Sequence, residues 1–494
     1  MLKKIICFGL ATALLIGISG CRPTKPTAGT GEDTGEPYNL VWYYIGGNVT
    51  QDEGLINEEI NKITTKEINA TIDMAPIPWA SYESKMNTIV ASGEAFDICF
   101  TAGFIFNVNN NIRRNAFLDI TKYVDEHGAN IKESLGERFF ELIRTPASSG
   151  VAEGLYYVPA AKDFATARGF MYRKDLVDKY NIDIENINSF NELIPALDII
   201  KKNETDVTPV WISEGYSPFT FIDFQVSSYP IGFYTKKDIG IPYDFTETPE
   251  FKEAAEMSRY LFQNGYTRKD AMIVQNVKDL KSQGEFFCWV EPLKPGKDKE
   301  LAAGFDIEFI QHQVTEAVAT KTSFQGATLA VSRTSKNPAR AVKFIDLLYG
   351  EDTDILTLFN FGVEGKHYNM TANNRIAPIR GAAYARDGMQ WMVGDTMKNY
   401  LLVNEDADKN EKMREFNESA KLSPLSGLEA NIESIRTEIA TCTSVRKEFQ
   451  KGYETGSSDI ETELPKLTAK LRQAGSDKIY EVFKEAAEQW LQAR

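Results

Sequence analysis

An α/β fold, with a mainly parallel sheet covered by helices on both faces, is what this sequence predicts. Strand-like runs alternate with helix-period runs from residue 38 onward, and that order is the signature of parallel strands joined by crossover helices. Phe96-Asp97-Ile98-Cys99-Phe100 is short and almost continuously apolar, as befits a central strand buried on both faces. The chain has 494 residues, 43% hydrophobic and 25% charged, an ordinary globular composition with room for two lobes or about three domains.

The elements follow in order. Tyr38 to Tyr44 is a β-branched and aromatic run closed by Gly46-Gly47, a strand and its turn. Ile56, Ile60 and Ile63 lie at helical spacing within Leu55 to Thr65. Ala70 to Ile77 is the second strand, Ser81 to Ser92 a helix stopped by Gly93, and Phe96 to Phe100 the third strand. Strands are expected again at Tyr156 to Pro159, Phe170 to Leu176, up to Trp211, Phe286 to Val290 and Gly326 to Val331. Phe251 to Phe262 and Ala339 to Leu348 read as helices, the latter with Pro338 at its first turn. From Leu428, Ile432, Ile435, Ile439, Cys442, Val445 and Phe449 make one stripe of a long helix, and two more helices follow around Gly475. Trp391 and Trp490 fall in helical contexts and read as packing residues.

Residues 1–20 read as a signal peptide. Lys3-Lys4 precede an apolar run from Ile5 to Ile18, which at about 21 Å is too short for a hydrocarbon core of roughly 30 Å. Ile18-Ser19-Gly20-Cys21 resembles a lipobox, which makes the Cys21 thiol the lipid-attachment point; an ordinary signal peptide with an incidental Cys is the alternative. Residues 21–37 have no large apolar side chain before Tyr38 and form a flexible tether. This places the body at the extracellular face of a cell membrane, held by lipid. Cys99, Cys288 and Cys442 remain, each flanked by apolar residues. They read as buried free thiols, with one disulfide and a spare thiol as the other possibility.

Fifty-five Lys and Arg against seventy Asp and Glu give a net charge of −15, which disfavours a nucleic-acid partner. His127, His312 and His367 are far apart, so neither a His-built metal site nor a cofactor is expected. A Gly-x-Ser-x-Gly elbow is absent. Gly362 to Lys366 fails as a phosphate loop, with Asn360 where a Gly is needed and His367 where Ser or Thr would bind magnesium. Asp406, Asp408 and Asn410 open like a calcium loop, but Glu411 takes the place of its turn Gly. Carboxylate pairs such as Glu285 with Glu291 are neighbours in sequence only.

Several segments, in order, resemble the extracellular solute-binding proteins of ABC importers, in the maltose-binding-like group. They are Asp97 to Phe100; Gly154 to Pro159 followed by Phe170 to Leu176; and Gln325 to Ser332 with Ser335-Lys336-Asn337-Pro338. Leu358 to Tyr368 is similar to a Gram-positive lipoprotein subset with an extended C-terminal region. The resemblance implies a periplasmic-binding-protein-like type II fold of two hinged lobes. Lobe 1 is then residues 38–158 and 310–365, and lobe 2 residues 159–309 and 366–494 with the helical extension. It further implies a monomer that is no enzyme, binds a carbohydrate solute between its lobes and delivers it to permease subunits. A surface lipoprotein glycoside hydrolase, or a peptide-binding or sensory lipoprotein, are the alternatives.

A sugar offers apolar C–H faces to aromatic rings and hydroxyls to polar side chains. Residues at or just after strand ends are therefore the candidate ligand contacts: Trp42, Tyr44, Trp79, Thr101 and Gln325 from the first lobe, and Lys162, Asp163, Trp211, Tyr216, Trp289 and Glu291 from the second. Trp289 falls where the family often places a stacking Trp, although the usual Gly-Pro-Trp is absent.

Overall fold

The computed structural model describes residues 35–493 apart from 48, 275, 303, 304, 306 and 387. The signal peptide, Cys21 and nearly all of the tether lie outside the described residues. In chain order, the strands of the two main sheets are β1 (Tyr38–Ile45), β2 (Ala70–Ile77), β3 (Ile98–Thr101), β4 (Val158–Pro159), β5 (Ala167–Arg173), β6 (Thr208–Trp211), β7 (Phe286–Leu293), β8 (Phe309–Gln313) and β9 (Thr328–Val331). The helices that matter here are α1 (Glu53–Ile68), α2 (Trp79–Ser92), α3 (Val108–Arg113), α4 (Phe190–Asn203), α5 (Pro249–Gln263), α6 (Pro338–Leu347), α7 (Lys409–Ser419), α8 (Arg436–Glu454), α9 (Ile460–Gln473) and α10 (Ser476–Gln492).

The first sheet runs β2-β1-β3-β9-β4 and the second β8-β5-β7-β6. In the first, β1 is parallel to β2 and β3, while β9 is antiparallel to β3 and β4. In the second, only β7 and β6 run parallel. The α/β class holds, with strand directions more mixed than expected because each sheet takes in strands that enter from the opposite lobe. The expected strand at Phe170 to Leu176 stops at Arg173, where a helix begins at Lys174.

Three segments cross between the lobes. The chain leaves at residues 160–166 and returns at residues 314–320, where Thr166 and Val318 exchange backbone hydrogen bonds of 3.0 Å. It leaves again at residues 420–424, with Val318 paired to Lys421. The expected lobe boundaries shift accordingly. Residues 310–313 belong to the second sheet, since β8 pairs with β5. Residues 366–420 fold onto the first lobe: Tyr384 pairs with Thr50, and Met392, Met397 and Met413 are buried in the core shared with β1. Burial of those apolar side chains outweighs sequence order in deciding which lobe they join.

The second sheet is buried on both faces, by Phe170, Val210 and Val290 against α4 and by Met171, Trp211, Trp289 and Phe309 on the other side. The C-terminal helices α8, α9 and α10 pack on this lobe beside a small sheet at residues 224–228, 231–234 and 242–244. Phe219, Phe251 and Tyr453 join the layers with ring centroids 5.0–5.1 Å apart. The long helix starts at Arg436, later than its stripe suggested, and Cys442 on that stripe is buried. Cys99, Cys288 and Cys442 are free, buried thiols.

Candidate functional site

The carboxyl ends of β1, β2 and β3 point to one edge of the first sheet, where open α/β sheets receive ligands. Trp79 follows β2 and opens α2 behind Pro78. Phe104 follows β3 in a turn tied by Asn107, whose Nδ2–H donates to the Gly103 carbonyl at 2.6 Å and whose Oδ1 accepts from Asn110 N–H at 3.0 Å. That turn needs a left-handed residue, Phe106 at φ +43°. The two rings stack with centroids 6.1 Å apart and 15° between planes. Trp391, in a turn and not on a helix, completes the cluster at 6.5 Å from Trp79 and 6.3 Å from Phe104. Trp79 is 47% and Phe104 58% exposed. Large aromatic faces left open together are unusual on a stable monomer and mark a binding surface.

Polar groups frame this stack. Gln325 and Asn109 exchange amide hydrogen bonds of 3.1 and 2.9 Å, and Gln325 Nε2 also donates to the Tyr157 hydroxyl at 3.3 Å. Lys162, on the first crossing segment, stands 5.9 Å from the Trp391 ring centroid. Its ammonium pairs with Asp163 at 3.0 Å, and Lys294 of the second lobe reaches the same carboxylate at 2.8 Å. Burial alone would raise the Asp163 carboxyl, but the two ammonium groups prevail and hold it at about 2. Lys162, Asp163 and Lys294 line a cavity of about 360 Å³ shared with Trp391, Tyr400 and Lys409, between the lobes.

On the second lobe the Trp289 Nε1–H donates to Glu291 Oε2 at 2.7 Å. Lys281 lies 4.3 Å over the Trp289 ring and 5.8 Å from Tyr216, with its ammonium 3.4 Å from Glu291. Burial pulls the Lys281 ammonium below its usual range, and Glu291 restores part of it. Among the described residues no cluster of His, Cys, Asp or Glu is placed to hold a metal ion.

Residues 49–355 match the family described as bacterial extracellular solute-binding protein, well over half of the 494 residues. The chain belongs to this family. Residues 424–492 of this solute-binding protein match a domain of unknown function (DUF3502). A carbohydrate ABC transporter substrate-binding protein of Streptococcus pneumoniae is 26% identical over 470 residues, covering 94% of this chain and 93% of its own. Lipoprotein LipO of Bacillus subtilis is 22% identical over 411 residues, covering 75% of this chain and 74% of its own. The crystal structure of the N-glycan transport solute binding protein NgtS from Streptococcus pneumoniae superposes with a TM-score of 0.78 at 24% identity, over 92% of this chain and 99% of that one.

Within this solute-binding protein the predicted contacts divide into three groups. Trp79, Lys162, Asp163 and Gln325 gather at the cleft edge described above. Tyr216 is exposed and Glu291 is nearly buried, and both lie around Lys281. Five predictions are corrected. Trp42 is fully buried against Phe359 and Phe344, because β1 continues to Ile45 and residue 42 lies inside the strand. Tyr44 is buried with its hydroxyl on Glu53. Thr101 is buried and donates to the Phe106 carbonyl. Trp211 packs on Phe286 at 4.9 Å. Trp289 is 0% exposed in mid-strand, which leaves it no free face for a sugar. Phe104, Asn109, Lys281 and Lys294 were not singled out from the sequence, and Trp391, read there as a helical packing residue, lies in a turn beside Trp79 and Phe104. Phe104 and Asn109 carried a signal, since they follow the central strand β3; Trp391 reaches the cleft only because residues 366–420 fold back on the first lobe.

Proposed function

We propose that this solute-binding protein captures an oligosaccharide between its lobes and delivers it unchanged to the permease of an ABC importer, held at the membrane by lipid on Cys21. The exposed stack of Trp79, Phe104 and Trp391 carries the reading: it offers flat apolar faces to sugar rings. Gln325, Asn109 and Lys162 border it with hydrogen-bonding groups for hydroxyls. The carbohydrate substrate-binding relative and the N-glycan transport protein of the same fold support that ligand class. Carrier function also fits the charges. A glycosidase needs a carboxylic acid held protonated near neutral pH, whereas Asp163 is locked between Lys162 and Lys294 and Glu300 is pulled down by Lys294 and Lys297 against its burial. Ligand touching both lobes would favour the closed form.

The test is a glycan panel added to the purified chain, with melting temperature and product both followed. A ligand-dependent rise in melting temperature without product is expected. Turnover would establish the hydrolase instead, and a response to peptides but to no glycan would establish the peptide-binding alternative.

A further inference from the structure

Beyond the aromatic stack the cleft opens into a second, polar cavity of about 250 Å³, walled by α3, by residues 225–228 and by the segments 320–325 and 423–432. Asn109 and Arg113 stand four residues apart on α3, hence on one face. Asn109 is tied to Gln325 at the edge of the aromatic stack. Arg113 lines the polar cavity, and its guanidinium forms no hydrogen bond or ion pair with any described residue. The acidic residue lining this cavity, Glu429, is already taken: Lys321 holds it at 2.6 Å while also donating to the Arg144 carbonyl at 2.9 Å. Two cations and one carboxylate therefore face the space, a local excess of positive charge in a protein whose net charge is −15. Burial draws the Lys321 ammonium below its usual range against the pull of Glu429, and repulsion from Arg113 adds to the lowering; an anion in the cavity would relieve that repulsion.

An unpaired guanidinium is tolerated while water fills the cavity. Lobe closure around a solute would strip that water and leave a buried cation without a partner, a costly state unless the solute brings the countercharge. The planar fork of donors on Arg matches a carboxylate in two-point geometry. We propose that the Arg113 cavity is a subsite for a carboxylate-bearing sugar, so that the solute is an acidic oligosaccharide with neutral rings on the Trp79 stack and its carboxylate on Arg113. The inference rests on the carbohydrate reading above and adds the charge of the ligand to it.

The experiment is calorimetric titration of the full chain in detergent with matched saccharides: xylotriose and its glucuronosyl derivative, lactose and sialyllactose, and sulfated lactose. In at least one pair the carboxylated member should bind about tenfold tighter or more, with an affinity that falls as salt rises. Arg113→Gln and Arg113→Met should abolish that preference with the melting temperature unchanged, whereas Trp79→Ala should weaken both members of the pair. Equal binding of neutral and carboxylated members in every pair, a preference that survives both Arg113 variants, or tighter binding of the sulfated member would each overturn the subsite while leaving the carbohydrate reading in place. If no saccharide of either charge bound, the carbohydrate reading would fall and the subsite with it.

Discussion

Two ammonium groups converge on the Asp163 carboxylate, from Lys162 at 3.0 Å and Lys294 at 2.8 Å. A folded-state value of about 2, against an ordinary 3.8, means that the carboxylate contributes stability that is complete above about pH 4 and is lost as pH falls toward 2. The magnitude is about 2 kcal/mol. Asp163→Asn should therefore lower the melting temperature at pH 7 and make no difference near pH 2; an equal effect at both would remove the electrostatic account. The aromatic side chains separate in the same way by environment. Trp79→Ala removes an exposed platform, so glycan affinity should fall by about tenfold or more with the fold intact. Trp289→Ala removes a fully buried ring that anchors Glu291, and should cost about 3–5 kcal/mol of stability. Thermal denaturation and titration of the two variants side by side check both. Sequence placed all of these rings at strand ends, but burial depends on what packs from elsewhere: Phe344 and Phe359 cover Trp42, while Trp79 stays 47% exposed beside Phe104 and Trp391.

Among the elements, β5 shows how tightly the second sheet is set. Gly169 lies opposite Glu291 of β7 and Gln313 of β8. A Cβ there would collide with the His312 carbonyl oxygen and come within 2.6 Å of Leu293 Cδ1. Gly169→Val should thus break the pairing of β5 with β8 and unfold the second lobe, visible as loss of cooperative melting; a normal melt would mean that the strand can shift. Helices and strands with strong periodicity were legible within a few residues, as α1, α2, α5 and α6 show. The C-terminal stripe from Leu428 was legible as an apolar face but not as an element boundary, since its first turns are irregular and α8 starts at Arg436. Periodicity reports a buried face, and a buried face needs no continuous helix.

For the whole molecule, the three crossing segments lie side by side: Val318 exchanges hydrogen bonds with Thr166, and its neighbours Ala317 and Ala319 accept from Lys421 and Ser423. This arrangement suits rotation of one lobe against the other by small backbone changes in a few residues. Small-angle scattering should show a smaller radius of gyration with a bound glycan than without; identical curves at saturation would contradict closure. Lys299 and Asp406 form an exposed ion pair of 2.5 Å between the lobes, and exposed pairs are worth less than about 1 kcal/mol. Asp406→Asn should therefore leave affinity within about fivefold. The sequence by itself determined the α/β class, the family and the first-lobe strand ends that carry Trp79, because local periodicity and turn residues act over a few neighbours. Only the tertiary structure decided that residues 366–420 return to the first lobe, that Trp391 faces Trp79 and that Arg113 has no hydrogen-bond or ion-pair partner among the described residues. Those outcomes depend on apolar burial and charge pairing between residues tens to hundreds of positions apart, which no local pattern encodes.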